Sequence, residues 1–273
     1  MAKLNVLITT NLEDDCLRRV VDANPQIKLR DASDLTAAET RRDYSSKDQL
    51  DAMLAEAEVI HGSQMPQNVI ARSPKLKWIH TRLAGVDRFI TDEIARSSVI
   101  LTNGKGIHTT PCAEVAIEMM LMFTKNAPQY FQYKQERKWH KLHPGLLRSK
   151  TVGIVGLGSI GTEVARLARA FRMRVVAVRR SVKKVTQGKY ADVIFPGEQL
   201  PEMLSESDYV VLALPFTPET DKLIGENELR AMKPGAYLIN VGRGDTIDED
   251  MLVHALEEKW IAGAGLDAFA VEP

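Results

Sequence analysis

The run Val152-Gly153-Ile154-Val155-Gly156-Leu157-Gly158-Ser159-Ile160-Gly161 decides how this chain is read. A short β-branched stretch ends in Gly156-x-Gly158-x-x-Gly161, and Thr162 to Phe171 follows with Val164, Leu167, Ala168 and Phe171 at helical spacing. Strand, tight turn and helix stand in the order of a dinucleotide-binding βαβ unit. Gly156 allows the turn, Gly158 lets the backbone approach a pyrophosphate, and Gly161 lets the helix pack closely on the strand. The first helical amides, around Ser159, Ile160 and Gly161, and the positive end of the helix dipole would then face an anion. Such a glycine pattern is weak alone. The apolar strand before it and the helix after it make it a candidate nucleotide site.

Downstream, Met173 to Val178 reads as the second strand of the unit and ends in Arg179-Arg180-Ser181. An NAD-selective unit places an acidic residue there for the ribose hydroxyls. Arg179 occupies that place, and two arginines with a serine suit a 2′-phosphate, so NADP is favoured, with NAD possible. Tyr209 to Leu214 is the next strand, ending in Pro215-Phe216-Thr217-Pro218-Glu219-Thr220. Ala236 to Asn240 ends in Val241-Gly242-Arg243-Gly244; Asp248 caps a helix through Leu256, and Gly263 to Leu266 ends at Asp267. These strand ends bring polar and tight-turn residues to one sheet edge. Gly242 and Gly244 beside Arg243 suggest a close backbone approach to a ligand.

Upstream, apolar strands at Leu4–Thr9, Ile27–Leu29, Val59–Ile60, Leu76–His80 and Val99–Leu101 alternate with helices at Glu13–Asn24 and Lys47–Ala57. The alternation predicts a second, smaller doubly wound parallel sheet over residues 1–101. Ligands in such sheets bind beyond the carboxyl ends of strands, where His61-Gly62-Ser63 and Arg82-Leu83-Ala84-Gly85 fall. Thr102-Asn103-Gly104-Lys105-Gly106 breaks the pattern and marks the crossing into a nucleotide-binding domain over 102–273. One long helix, Pro111 to Gln135, is apolar nearly all round in its first half. It has to be covered by a core or by a second subunit, and a homodimer is expected.

The 273 residues carry 36 Lys+Arg and 36 Asp+Glu, and a formal charge of zero gives no reason to expect nucleic acid or an anionic membrane as partner. Cys16 and Cys112 form no CxxC, so neither a disulfide framework nor a cysteine metal site is indicated, and a reducing cytoplasm fits. No signal peptide precedes the strand that follows Met1-Ala2-Lys3, and no apolar run is long enough to cross a bilayer.

Taken together, these strand ends resemble the D-isomer-specific 2-hydroxyacid dehydrogenases over nearly the whole chain. The matching motifs are Ala84-Gly85-Val86-Asp87, Thr102-Asn103-Gly104 leading to Ala113-Glu114, Gly156 to Gly161, and Leu214 to Thr220. Ile239-Asn240-Val241-Gly242-Arg243-Gly244 and Gly265 to Pro273 complete them. The resemblance implies a flavodoxin-like substrate domain and a Rossmann cofactor domain. It also implies D-specific hydride transfer between NADP(H) and a small 2-oxo or 2-hydroxy acid of the glyoxylate, hydroxypyruvate or pyruvate type. It assigns Arg243 to the substrate carboxylate and carbonyl oxygen, and the amides of Leu83, Ala84 and Gly85 to the same carboxylate. Pro215, Thr220, Val241, Gly242 and Asp267 fall on the cofactor side, and Glu272 supports the charge of an acid/base histidine.

That histidine is expected beyond Glu272, and none of His61, His80, His108, His140, His143 and His254 matches its motif. The reading is therefore a C-terminally truncated enzyme, lacking also the final helix that returns to the first domain, and slow or inactive as it stands. His80 and His108 are expected at the rim of the cleft or in structural roles. A nucleotide-sensing, corepressor-like protein on the same fold is the alternative from another class. A dehydrogenase acting on an inorganic or phosphorylated acid is a second enzyme rival, with Lys105 and Arg82 as its candidate extra cations.

Overall fold

The computed structural model describes residues 3–87 and 89–272; Pro273, which closes the last motif quoted above, lies outside them, as do Met1 and Ala2 of the N-terminal run. The chain divides into two compact units, Met1–Ile107 and His108–Pro273. The sequence put the change between Leu101 and Thr102. Residues 102–107 instead stay with the first unit, since its last strand runs on to Asn103 and the N–H of Gly104 donates to the carbonyl of Leu83 (3.1 Å).

The first unit runs β1 (Leu4–Ile8), α1 (Asp14–Ala23), β2 (Ile27–Asp31), α2 (Ser33–Thr40), α3 (Lys47–Leu54), β3 (Val59–His61), α4 (Val69–Arg72), β4 (Trp78–Thr81), α5 (Asp92–Ala95) and β5 (Ile100–Asn103). Its strands are all parallel in the order β2-β1-β3-β4-β5, the doubly wound order of flavodoxin-like sheets. Leu7, Ile60 and Ile79 bury one face against Leu50, Leu54, Val69 and Ile94, while Val6, Ile8 and Val59 cover the other with Leu17, Ile27 and Leu29. Each such side chain taken fully from water contributes about 1.5–3 kcal/mol. The register aligns Ile8, His61, His80 and Thr102 in one row across the carboxyl end of the sheet.

The second unit runs α6 (Thr109–Thr124), α7 (Ala127–Gln135), β6 (Thr151–Val155), α8 (Ser159–Ala170), β7 (Arg174–Val178), β8 (Val193–Phe195), α9 (Leu200–Glu206), β9 (Tyr209–Leu212), α10 (Glu226–Ala231), β10 (Tyr237–Asn240), α11 (Glu249–Glu257) and β11 (Gly263–Leu266). All six strands are parallel, ordered β11-β10-β9-β6-β7-β8. This is the Rossmann order, with the switch point between β6 and β9, the strands that flank the crevice. Val152, Ile154, Val175 and Val211 pack under α6 and α8, and Val155, Val176, Val210 and Leu238 under α9 to α11.

The helix expected over Pro111–Gln135 is two helices. Pro128 has no N–H to give to the carbonyl of Thr124, which accepts from the N–H of Gly145 instead (2.8 Å), and Asn126 turns the chain with φ 55°. The apolar half is covered within its own unit: Ala113, Ala116, Ile117 and Met120 join the β6 core, and Phe123 stacks on Tyr237 at 4.4 Å.

Candidate functional site

In the second unit, five strand ends meet one edge. β6 leads into Gly156, whose φ of 97° is open to glycine but strained for other residues, and a Cβ there would strike Leu214 and the carbonyl of Ala213. A Cβ on Gly161 would overlap the carbonyl of Gly156, so α8 sits directly on the turn. Gly158, the cap of α8, has nothing within 4 Å of where its Cβ would be. The middle glycine thus faces open space while the outer two face protein. That is the arrangement a pyrophosphate over the helix amides requires, and the residues present fit a dinucleotide.

β7 ends in Arg179, Arg180 and Ser181, all exposed. The N–H of Arg179 donates to Phe195 on β8 (3.1 Å), and the N–H of Gly156 to Val178 (3.1 Å), fixing the arginines next to the glycine turn. Beyond β9, Thr220 knots its own loop. Its hydroxyl accepts from the N–H of Thr217 (2.8 Å) and lies 2.8 Å from the carbonyl of Pro215, to which it donates. Thr220 therefore shapes the loop that carries exposed Pro215.

Beyond β10, fully buried Asn240 donates to the carbonyl of Arg243 (2.8 Å) and accepts from the N–H of Gly242 (2.9 Å). Thr246 donates to the same carbonyl (2.6 Å). These bonds set the Arg243 loop, whose guanidinium is half-buried and donates to Gly242 (3.1 Å). The two glycines also meet protein at close range. A Cβ on Gly242 would press on the backbone of Leu214, and one on Gly244 would overlap Phe269 and Ala270. They allow these protein segments to approach the arginine loop closely. Val241 is buried in the β6 core, so its side chain packs inward.

The segment after β11 completes this edge. Asp267 is exposed, and its N–H donates to Asn240 (2.9 Å). Ala270 donates to Glu249 (2.8 Å), and Phe269 to Glu272 (3.4 Å). Cys112, on α6, senses the same neighbourhood: burial chiefly and then Asp267 raise its thiol pKa, and Arg243 opposes them. Asn240, Glu249 and Cys112 were not singled out in the sequence. The first was legible in principle, since a short amide before Gly-Arg is a turn-forming residue.

In the first unit, the amide loop is held from β5: Asn103 donates to the carbonyl of Ala84 (2.6 Å), and a Cβ on Gly104 would overlap the carbonyl of Arg82. The Leu83 amide donates to the Thr81 hydroxyl (3.2 Å), so it is engaged within the loop. Beside it, a cavity of about 360 Å³ is lined by residues that include Ser63, Met65, Gln67, Leu83 and Phe89. His61 and His80 stack at 5.3 Å, and the Thr102 hydroxyl accepts from the Trp78 indole (2.7 Å) and lies 2.8 Å from His80 Nδ1. Burial first, then His80 and Arg82, lower the pKa of His61. In the second unit His140 lies against Tyr133 and His254 edge-on to Trp260, while His108 caps α6. Among the described residues no three His, Cys, Asp or Glu side chains are placed to hold a metal, and no helix is long and apolar enough to cross a membrane.

Residues 117–273 match the family model for the D-isomer specific 2-hydroxyacid dehydrogenase NAD binding domain, and residues 6–194 match that for the catalytic domain. A glyoxylate reductase from Thermococcus gammatolerans is 36% identical over 214 residues, 75% of this chain and 63% of that protein; the chain thus spans less than two thirds of that curated relative. Among solved structures, a D-isomer specific 2-hydroxyacid dehydrogenase family protein from Aeromonas salmonicida subsp. salmonicida A449 superposes with a TM-score of 0.83 at 28% identity, covering 100% of this chain and 83% of that one. A D-isomer specific 2-hydroxyacid dehydrogenase from Xanthobacter autotrophicus Py2, in complex with NADPH and MES, gives 0.80 at 27% identity, covering 100% and 82%.

Proposed function

The chain belongs to the D-isomer specific 2-hydroxyacid dehydrogenase family, and from that premise we propose that it transfers a hydride between NADP(H) and a small 2-oxo or 2-hydroxy acid, glyoxylate first. The observation that carries the reading is the single edge of the second unit. There the glycine turn with its open Gly158, the Arg179-Arg180-Ser181 end of β7, the Pro215–Thr220 loop and the braced Arg243 all converge. The name of the Thermococcus relative supports glyoxylate, and the NADPH held by the Xanthobacter protein supports the phosphorylated cofactor.

The amides of Ser159, Ile160 and Gly161 would hold the pyrophosphate, and Arg179, Arg180 and Ser181 the 2′-phosphate. Pro215, Thr220, Gly242 and Asp267 would border the nicotinamide and its ribose, with Val241 supporting from beneath. When bound, the nicotinamide supplies or accepts the hydride at its C4. Arg243 orients the acid through its planar fork, pairing the carboxylate and polarising the carbonyl oxygen that becomes the alkoxide. The amides of Ala84 and Gly85, more than that of Leu83, take the carboxylate. Glu272 would stabilise the charged form of an acid/base imidazole, a role whose motif none of the chain's six histidines matches. The protein acts as a homodimer. Its support is the apolar surface left on 127–146, where Tyr130, Phe131 and Leu146 are exposed and Trp139 is 97% exposed, a patch a second copy would cover.

The test is oxidation of NADPH and of NADH with glyoxylate, hydroxypyruvate and pyruvate, each with the wild-type protein and Arg243→Lys. Slow consumption of NADPH in preference to NADH, strongest with glyoxylate and about a hundredfold weaker in the variant, is the expected result. Equal rates with both cofactors would remove the 2′-phosphate assignment, and an unaffected variant would remove Arg243 from the chemistry.

A further inference from the structure

We infer that Glu219 tunes the cofactor preference of the nucleotide groove by holding Arg180 in an ion pair that a 2′-phosphate has to break; the inference rests on the nucleotide reading above. Arg180 stands just past β7 and Glu219 in the loop after β9, and β6 lies between those strands in the sheet. Neighbouring strands are about 4.8 Å apart. A contact joining the two loops therefore bridges strands on either side of β6, the strand that carries the glycine turn. That contact exists: Arg180 Nη1 lies 3.9 Å from Glu219 Oε2.

The two arginines are not equivalent. Among the described residues Arg179 has no carboxylate partner, whereas Arg180 is opposed by one. Glu219 is a charged opponent, since the Thr217 side chain, its own N–H and Arg180 hold its carboxyl below the ordinary range. The pair is also breakable. Its side chains are 85% and 67% exposed, and exposed pairs are worth little, which suits a contact that must yield to a ligand. A 2′-phosphate carries about −1.5 to −2 charges and three acceptor oxygens, enough to take Arg180 from a single carboxylate. A cofactor without that phosphate offers Arg180 nothing in exchange and leaves the pair closed. Glu219 therefore weakens NADPH binding while leaving NADH untouched, so the chain discriminates less than its two arginines would allow.

The experiment is calorimetric titration of 2′,5′-ADP and of 5′-ADP into the wild type, Glu219→Gln, Arg180→Gln and the double variant. Glu219→Gln keeps the side chain's shape and its ability to accept from Thr217. It is expected to tighten 2′,5′-ADP about two- to five-fold, the range an exposed pair spans, and to leave 5′-ADP unchanged. The gain should vanish in the Arg180→Gln background and shrink as salt is raised. Equal tightening of both nucleotides, no tightening, or a gain that persists without Arg180 would overturn the inference while leaving the nucleotide site standing. If the wild type binds neither nucleotide, the nucleotide reading falls and this one with it.

Discussion

Asn240 donates to the carbonyl of Arg243 and accepts from the N–H of Gly242, so one buried side chain closes the turn that presents the guanidinium. Asn240→Ala removes the acceptor of the Gly242 N–H, while the Arg243 carbonyl keeps the Thr246 hydroxyl. It should cost about 1–3 kcal/mol for the one group left unpaired, read as a lowered urea midpoint, and should lower kcat/KM through the loosened loop. Arg243→Lys keeps the charge but loses the fork, and kcat/KM should fall on the order of a hundredfold, a loss of one or two charge-assisted hydrogen bonds. His61 gives a prediction of a different kind. Burial and its neighbours His80 and Arg82 depress its pKa, so the unfolded chain takes up a proton more readily than the folded one. Its contribution to stability is complete above the ordinary imidazole pKa of about 6.5 and is lost as pH falls toward the folded value. Melting at about pH 7.5 and about pH 5.5 should show a smaller drop in His61→Gln than in the wild type. Arg243 and the three glycines of the turn were legible in the sequence because each serves a local geometric need. The protein contacts of Gly242 and Gly244 were not, because Leu214 and Phe269 meet them only in the folded sheet.

The turn between β6 and α8 separates binding from stability within three residues. Gly161→Ala forces a methyl into the carbonyl of Gly156 and should cost about 1–3 kcal/mol of overpacking, seen as a lower melting temperature. Gly158→Ala meets nothing in the protein, and the φ of −85° at Gly158 suits any residue, so the fold should be unaffected. Its methyl would stand where the proposed pyrophosphate approaches, and nucleotide affinity should fall about tenfold or more. If Gly158→Ala bound nucleotide normally, the open space there would not be the phosphate site. Most strands and the larger helices were legible as elements, since buried parallel strands read as continuous β-branched runs. The split between α6 and α7 was not, because it depends on Gly145 taking the carbonyl of Thr124 from a distant part of the chain. β8, three residues long, and α2, α9 and α10, of six to eight, offer too little periodicity to be read.

At the scale of the whole chain, two parallel sheets in two strand orders account for how the sequence alternates, and both orders put strand ends where ligands of doubly wound folds bind. The alternation made the two-domain class legible. The position of the division was less so, because the glycines at 104 and 106 look like a linker while the N–H of Gly104 is tied back to Leu83. A ligand that binds only the folded second unit must raise its stability by mass action. NADPH at a hundred times its Kd should add about 2.7 kcal/mol, and NADH at the same concentration less, which differential scanning calorimetry would show. Sedimentation at low micromolar concentration should show a dimer that Trp139→Asp converts to monomer; a wild-type monomer would remove the second copy from the account. The most direct test of the central claim is disappearance of reduced nicotinamide absorbance when glyoxylate is added to the protein with NADPH. Slow consumption of NADPH with formation of glycolate, faster than with NADH and about a hundredfold slower still in Arg243→Lys, is the predicted result. Tight NADPH binding with no glycolate formed from glyoxylate, and no product from hydroxypyruvate or pyruvate, would contradict it.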